Sequence, residues 1–135
     1  AISVPFLHIL DAAAQAIQAR QLRKIGVLGT AFTMQDNFYR KGLAERGIEM
    51  LVPETTAQTE IHRIIFEELC LGKILPQSRA FYLDAVQALA AQGAEGIILG
   101  CTEIGLLIRQ EDHHLPFFDT AALHAQAAAD FVLSD

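Results

Sequence analysis

The sequence predicts an α/β fold, a doubly wound parallel sheet of about four to five strands flanked by helices. Two observations carry that expectation. Runs that read as strands buried on both faces, over 24–29 and 96–99, alternate with longer stretches whose apolar residues recur at helical spacing. No hairpin-type turn joins two strand-like runs, so successive strands need right-handed helical crossovers. The chain is long enough for this. Its 135 residues, 52% hydrophobic with mean hydropathy +0.29, can bury roughly two-thirds of the unfolded surface in one core.

Residues 4–9 (VPFLHI) read as a strand entered almost at once, and Asp11 can cap an alanine-rich helix over 12–20. Strand 24–29 runs into Gly29-Thr30-Ala31-Phe32-Thr33, where Thr33 and Asp36 have the spacing of a capping box for a helix reaching residue 45. Gly47 ends that helix, and 48–52 makes a short strand before Pro53. Thr55 or Thr56 starts the next helix, with Ile61, Ile64, Ile65 and Leu69 on one face and Gly72 as its stop. A helix over 78–92 carries Phe81, Ala85 and Leu89 on one stripe, ends at Gly93 and feeds the strand 96–99. One helical turn follows Cys101, a polar loop spans 109–114, and 116–118 opens a last strand. Asp119 or Thr120 then caps a helix reaching residue 133.

Charge and cysteine usage exclude several functional classes. Ten basic and 16 acidic residues give a net charge of -6 with no basic cluster, which argues against a nucleic-acid partner or an anionic membrane surface. The same balance gives an anionic ligand no long-range attraction, so local dipoles would have to hold one. Two cysteines, Cys70 and Cys101, cannot form a disulfide framework. A thiol that must ionise suits a reducing compartment, and the cytoplasm is the expected location. No apolar run is long enough to span a bilayer, and 2–10 lacks the basic flank of a signal peptide.

The rest of the chain is arranged around 94–107 (AEGIILGCTEIGLL). Its strand stops at Gly100 and a thiol, which places Cys101 at the carboxyl end of a parallel strand, the edge at which open α/β sheets bind ligands. The amides of a following helix would face the thiol and favour the thiolate. The competing reading is a small buried hydrophobe, the usual state of a free cysteine.

Gly-Cys-Thr-Glu-Ile after Ala-Glu-Gly-Ile-Ile-Leu resembles the second cysteine motif of the aspartate/glutamate racemases, in the cofactor-independent Asp/Glu/hydantoin racemase superfamily. Four further stretches resemble that family in the same order: 25–33 (IGVLGTAFT), Phe38-Tyr39, 64–72 (IIFEELCLG) and 118–124 (FDTAALH). The resemblance implies interconversion of L and D amino acids by two-thiol proton transfer at Cα, with an acidic amino acid as substrate, no cofactor, and a homodimer as the usual assembly. It also implies that this chain, which opens on Ala1, matches only the second half of a two-domain racemase. In the family such a segment follows a first domain with its own cysteine in a Cys-Asn-Thr motif, which this sequence lacks. Residues 1–115 are then the domain bearing Cys101, and 116–135 are a final strand and helix that in the family cross back to the first domain.

Racemisation without pyridoxal phosphate needs one base and one acid flanking Cα. The resemblance makes Cys101 the base for one enantiomer and the acid for the other. Its partner cysteine would lie outside this chain. Thr102 could hold the substrate carboxylate while neighbouring amides stabilise the enolate-like charge, or it could simply cap the next helix. Thr30 and Thr33 match the family's Gly-Thr-x-x-Thr segment and are placed at the pocket wall, with a pure capping role as the rival for Thr33. Glu103 could orient water or a substrate ammonium, or stabilise a helix from its first turn.

The remaining candidates carry less chemistry. Cys70 lacks the Cys-Asn-Thr setting and reads as a small packed residue near the pocket rim. Asp119 and His124 read as structural, His113 and His114 as solvated. His8 and His62 have no partner at zinc-like spacing, so no metal site is expected. No dinucleotide fingerprint or phosphate-cradling loop is present. Two rivals to a racemase follow: a single-cysteine enzyme of the superfamily, such as a decarboxylase that protonates an enolate from one face, and a non-catalytic carboxylate-binding or self-associating domain.

Overall fold

The computed structural model describes residues 4–35 and 37–119. Its elements alternate as expected: α1 (Val4–Ala19), β1 (Lys24–Leu28), α2 (Ala31–Gln35), α3 (Asn37–Ala44), β2 (Glu49–Leu51), α4 (Thr55–Glu67), α5 (Pro76–Ala91), β3 (Gly96–Leu99), α6 (Ile104–Leu107) and β4 (Phe117–Asp119). Short 3₁₀ turns at Leu69–Leu71 and Gln110–Asp112 follow α4 and α6. The four strands form one parallel sheet in the order β2-β1-β3-β4.

Helices cover both faces. On one face, Leu28, Ile97 and Leu99 of the sheet pack with Ile61, Ile64 and Ile65 of α4 and Tyr82, Val86 and Leu89 of α5. On the other, Ile25, Val27, Ile98 and Phe118 pack with Ala13, Ala14 and Ile17 of α1 and Leu43 of α3. Gly26 is what lets α5 come so close, because a Cβ there would stand 2.8 Å from both Ile97 Cδ1 and Leu89 Cδ1. At the opposite end of the strands, Glu95 Oε1 accepts the amides of Arg23 (2.8 Å) and Lys24 (3.0 Å) and ties the entry of β1 to that of β3.

Four local expectations need correction. Residues 4–9 are not a strand but the first turns of α1, which also contains Asp11. Pro5 is tolerated there because a first-turn residue has no helical N–H bond to lose, and the alanines after it sustain the helix. The single capped helix expected from Thr33 is instead two short helices, α2 and α3. Thr30 caps the first, accepting the Thr33 amide at Oγ1 (3.3 Å), while its carbonyl takes the Met34 amide (3.0 Å). In α5 the buried stripe is Ser78, Tyr82, Ala85, Val86 and Leu89, with Phe81 beside it half-buried. Tyr82 is fully buried, donating its hydroxyl to the Ile61 carbonyl at 2.8 Å. The helix also starts earlier, at Pro76, a favoured first-turn position for proline.

The expected division after residue 115 falls just before β4, whose residues pair with β3 from Ile97↔Phe117 to Leu99↔Asp119. The helix expected after it lies outside the described residues, as does His124.

Candidate active site

In a parallel sheet ordered β2-β1-β3-β4 the chain adds β2 on one side of β1 and β3 on the other, so the switch point lies between β1 and β3, and the crevice outside their carboxyl ends is where such sheets bind ligands. Leu28 and Leu99 are partners at that edge, so the segments that leave them, 29–33 and 100–103, start side by side. The ladder runs one step further, with the Gly100 amide donating to the Leu28 carbonyl at 2.7 Å. Gly100 is needed at this spot. A Cβ on it would stand 3.1 Å from the Leu28 carbonyl oxygen and 3.3 Å from Thr33 Cγ2. The two sequence motifs therefore meet, with the Thr33 methyl over the residue that precedes the thiol.

Thr30 and Thr33 face each other across 3.3 Å between their hydroxyl oxygens. The first amide of α2, that of Ala31, donates to Nδ1 of His62 on α4 at 2.8 Å. His62 was not among the expected site residues. Its one signal in the sequence is a polar residue set between the core positions Ile61 and Ile65.

On the β3 side, Cys101 is half-buried and its Sγ donates to Glu103 Oε2 at 2.7 Å. Thr102, exposed, donates its hydroxyl to the same oxygen at 3.1 Å. Glu103 therefore collects two donors, and the contact with Cys101 holds its carboxyl below the usual range. The thiol moves the other way. Burial first, then the Glu103 carboxylate, push Cys101 up to about 11. The expectation that a helix amino terminus would favour the thiolate is thus reversed. Helix α6 has only four residues and begins three positions later, so its dipole is small, and the Glu103 backbone bond that favours the thiolate is outweighed by burial and the Glu103 carboxylate.

Cys70 lies exposed in the 3₁₀ turn Leu69–Leu71, which packs against α6. It is not the packed residue expected. Asp119 reaches α6 as well, with Oδ2 3.1 Å from where a Gly105 Cβ would be. His113 is half-buried rather than solvated: its Nδ1 accepts the Leu115 amide (3.1 Å), Nε2 pairs with Gln87 Oε1 (3.0 Å), and its ring stacks on the exposed His114. Burial lowers its pKa. Among the described residues, no group of three His, Cys, Asp or Glu side chains could hold a metal ion, and no helix is long and apolar enough to cross a membrane.

Large apolar side chains are exposed: Phe32 on α2, Phe66 on α4, Leu71, Ile74 and Leu106 on α6. Ile74 and Leu106 share one surface depression. A separate open groove of about 460 Å³ between α4 and α5, floored by Ala57, Phe81, Ala85 and Leu89, contains none of the residues at the β1–β3 edge.

What such an arrangement can do is limited and specific. It offers a protonated thiol beside a carboxylate, with hydroxyls from Thr102, Thr30 and Thr33 close to the same sheet edge. Comparison with known proteins gives this chemistry a context. A family model described as Asp/Glu/Hydantoin racemase matches residues 1–128. A crystal structure from Yersinia pestis assigned as an Asp/Glu racemase superposes with a TM-score of 0.90 at 50% identity, covering 94% of this chain and 56% of that one. An aspartate racemase homologue from Pyrococcus horikoshii gives 0.84 at 39% identity, over 91% of this chain and 54% of that one. A glutamate racemase of Neisseria meningitidis is 26% identical over 132 residues, 94% of this chain but 47% of its own length. The sequence thus spans about half the length of these racemases.

Proposed function

The chain belongs to the Asp/Glu/hydantoin racemase family, and from that premise we propose that it supplies one of the two acid/base thiols of an amino-acid racemase, Cys101, acting at Cα of an acidic amino acid without a cofactor. The observation that carries this reading is the hydrogen bond from Cys101 Sγ to Glu103 Oε2 at the carboxyl end of a central parallel strand. A thiol so placed holds a proton ready for an enolate carbon. It can also return to the thiolate when a substrate ammonium arrives, because a nearby cation favours the charged form. Thr102 is the donor for the substrate carboxylate, with Thr30 and Thr33 on the facing wall. Glu103 sets the thiol's proton affinity and can accept the ammonium.

The second thiol comes from a segment outside this sequence, a reading supported by the half-length coverage of the racemases and by the absence of a Cys-Asn-Thr motif. The apolar side chains Phe32, Phe66, Leu71 and Leu106 suit a surface covered by further protein, whether that segment or the second subunit of a homodimer. A working thiol places the protein in a reducing compartment such as the cytoplasm.

One observation favours a second reading. Cys101 Sγ donates to Glu103 Oε2, and a proton-bearing thiol is the state required of a single-cysteine enzyme that protonates an enolate from one face, as a decarboxylase of the superfamily would.

Ligand protection of the thiol tests the site. In a Cys70→Ser background, L- or D-aspartate or glutamate should slow alkylation of Cys101 in a saturable way, and Thr102→Val should weaken that protection. Alkylation indifferent to all four amino acids would refute the assignment.

A further inference from the structure

We propose that His62 is a positioning residue for the Cys101 site: through the Ala31 amide it holds the turn after β1 against the strand end that carries the thiol. This rests on reading that edge as the active site. The hydrogen bond from Ala31 N to His62 Nδ1, 2.8 Å long, joins residues 31 positions apart and ties the start of α2, where the chain leaves β1, to α4, while the bond from Gln35 Nε2 to Gln58 Oε1 (3.0 Å) ties its end. An accepting Nδ1 assigns the ring proton to Nε2. The Phe66 ring, 4.7 Å away centroid to centroid, fixes the plane of the imidazole from the next turn of α4.

The bond matters because of which amide it takes. Ala31 opens α2, and the first amides of a helix have no partner within it. Thr30 Oγ1 satisfies the Thr33 amide locally. The Ala31 amide has no such local partner and is satisfied from a different element. With both bonds made, the turn is pinned at two points, and the Thr33 methyl rests where a Cβ at Gly100 would meet it at 3.3 Å. The contact chain therefore runs from His62 through Ala31 and Thr33 to Gly100, whose neighbour is Cys101. Remove the acceptor and the far end of α2 keeps its bond from Gln35 to Gln58 on α4 (3.0 Å), but the turn itself is left with Thr30 as its only cap. The Thr33 methyl can then recede, and water reaches the half-buried thiol.

The test compares His62→Asn, His62→Gln and His62→Phe in a Cys70→Ser background. Asparagine Oδ1 occupies the place of Nδ1, glutamine Oε1 that of Nε2, and phenylalanine keeps the packing on Phe66 without an acceptor. The readout is the rate of Cys101 alkylation by iodoacetamide at one mildly alkaline pH, together with the two-bond ¹⁵N–¹⁵N coupling across the Ala31–His62 hydrogen bond in the unsubstituted protein. The coupling should be observed. His62→Gln and His62→Phe should speed alkylation severalfold, and His62→Asn should restore the original rate. An undetectable coupling, a His62→Phe rate equal to the original, or a His62→Asn rate as fast as His62→Phe would overturn the proposal. Because asparagine and glutamine are alike in polarity, the comparison stands even if the phenylalanine variant does not fold. Neither readout needs turnover, so failure of the racemase reading, seen as Cα exchange that survives Cys101→Ser, is distinguishable from failure of this one. Where exchange is present, His62→Gln should slow it by about tenfold, the scale of a small misplacement at a reacting centre.

Discussion

Cys101 donates its thiol proton to Glu103, Sγ to Oε2 at 2.7 Å, across a separation of two residues at the end of β3. Burial and that carboxylate act in the same direction on the thiol, and both hold it protonated. The carboxylate responds oppositely, stabilised in its charged form by the same bond and by the Thr102 hydroxyl. The resting site is therefore an acid beside a base, with the proton on sulfur.

Glu103→Gln should separate these causes. Glutamine keeps the size and an acceptor oxygen but removes the charge, so the Cys101 pKa should fall from about 11 toward its ordinary value of 9.0. Burial, the largest cause of the rise, should remain. The measurement is the pH dependence of Cys101 alkylation in a Cys70→Ser background, where the midpoint should move to lower pH.

The raised thiol pKa also predicts how stability changes with pH. Between 9.0 and about 11 the folded protein keeps a proton on Cys101 that the unfolded chain has released. The folded state binds more protons there, so its stability falls as pH rises through this window and the contribution is fully present below it. Urea unfolding measured across the window should show a shallower decline in Cys101→Ser than in the unsubstituted protein.

Gly100→Ala should be destabilising by about 1–3 kcal/mol, the usual range for overpacking. Its methyl would press on the Leu28 carbonyl, a backbone group inside a sheet ladder that cannot swing away, as well as on Thr33. Thermal or denaturant unfolding measures the loss. The same variant should accelerate Cys101 alkylation, because relief of the clash pushes the Thr33 turn outward.

Much of this architecture was legible in the sequence because it rests on patterns that local chemistry enforces. Apolar runs such as Ile97-Ile98-Leu99, short and bounded by Gly96 and Gly100, fit strands buried on both faces, and Gly72 and Gly93, at φ +79° and +107°, stop helices where a side chain would be strained. Segment 4–9 misled because Val, Phe and Ile suit strands, while the alanines that recruit them into α1 lie further along. Thr33 misled because two threonines three apart offer the same capping spacing, and the chain uses the first. Within the site, the strand-end positions of Thr30 and Cys101 followed from strand order. The charge state of Cys101 did not, because it depends on where the Glu103 side chain turns and on how short α6 is. The His62 bond was invisible for a related reason: it joins residues 31 and 62, whose meeting is decided by packing between α2 and α4.

The most direct test of the account is proton NMR of L- and D-aspartate and L- and D-glutamate in deuterated buffer, with the unsubstituted chain and its Cys101→Ser and Cys70→Ser variants. A lone acid/base thiol takes and returns the proton on one face. Deuterium should therefore enter Cα of at least one of these amino acids without inversion, at a rate unchanged in Cys70→Ser and abolished in Cys101→Ser. Exchange that survives Cys101→Ser, or that is lost in Cys70→Ser, would contradict Cys101 as the proton-transfer group.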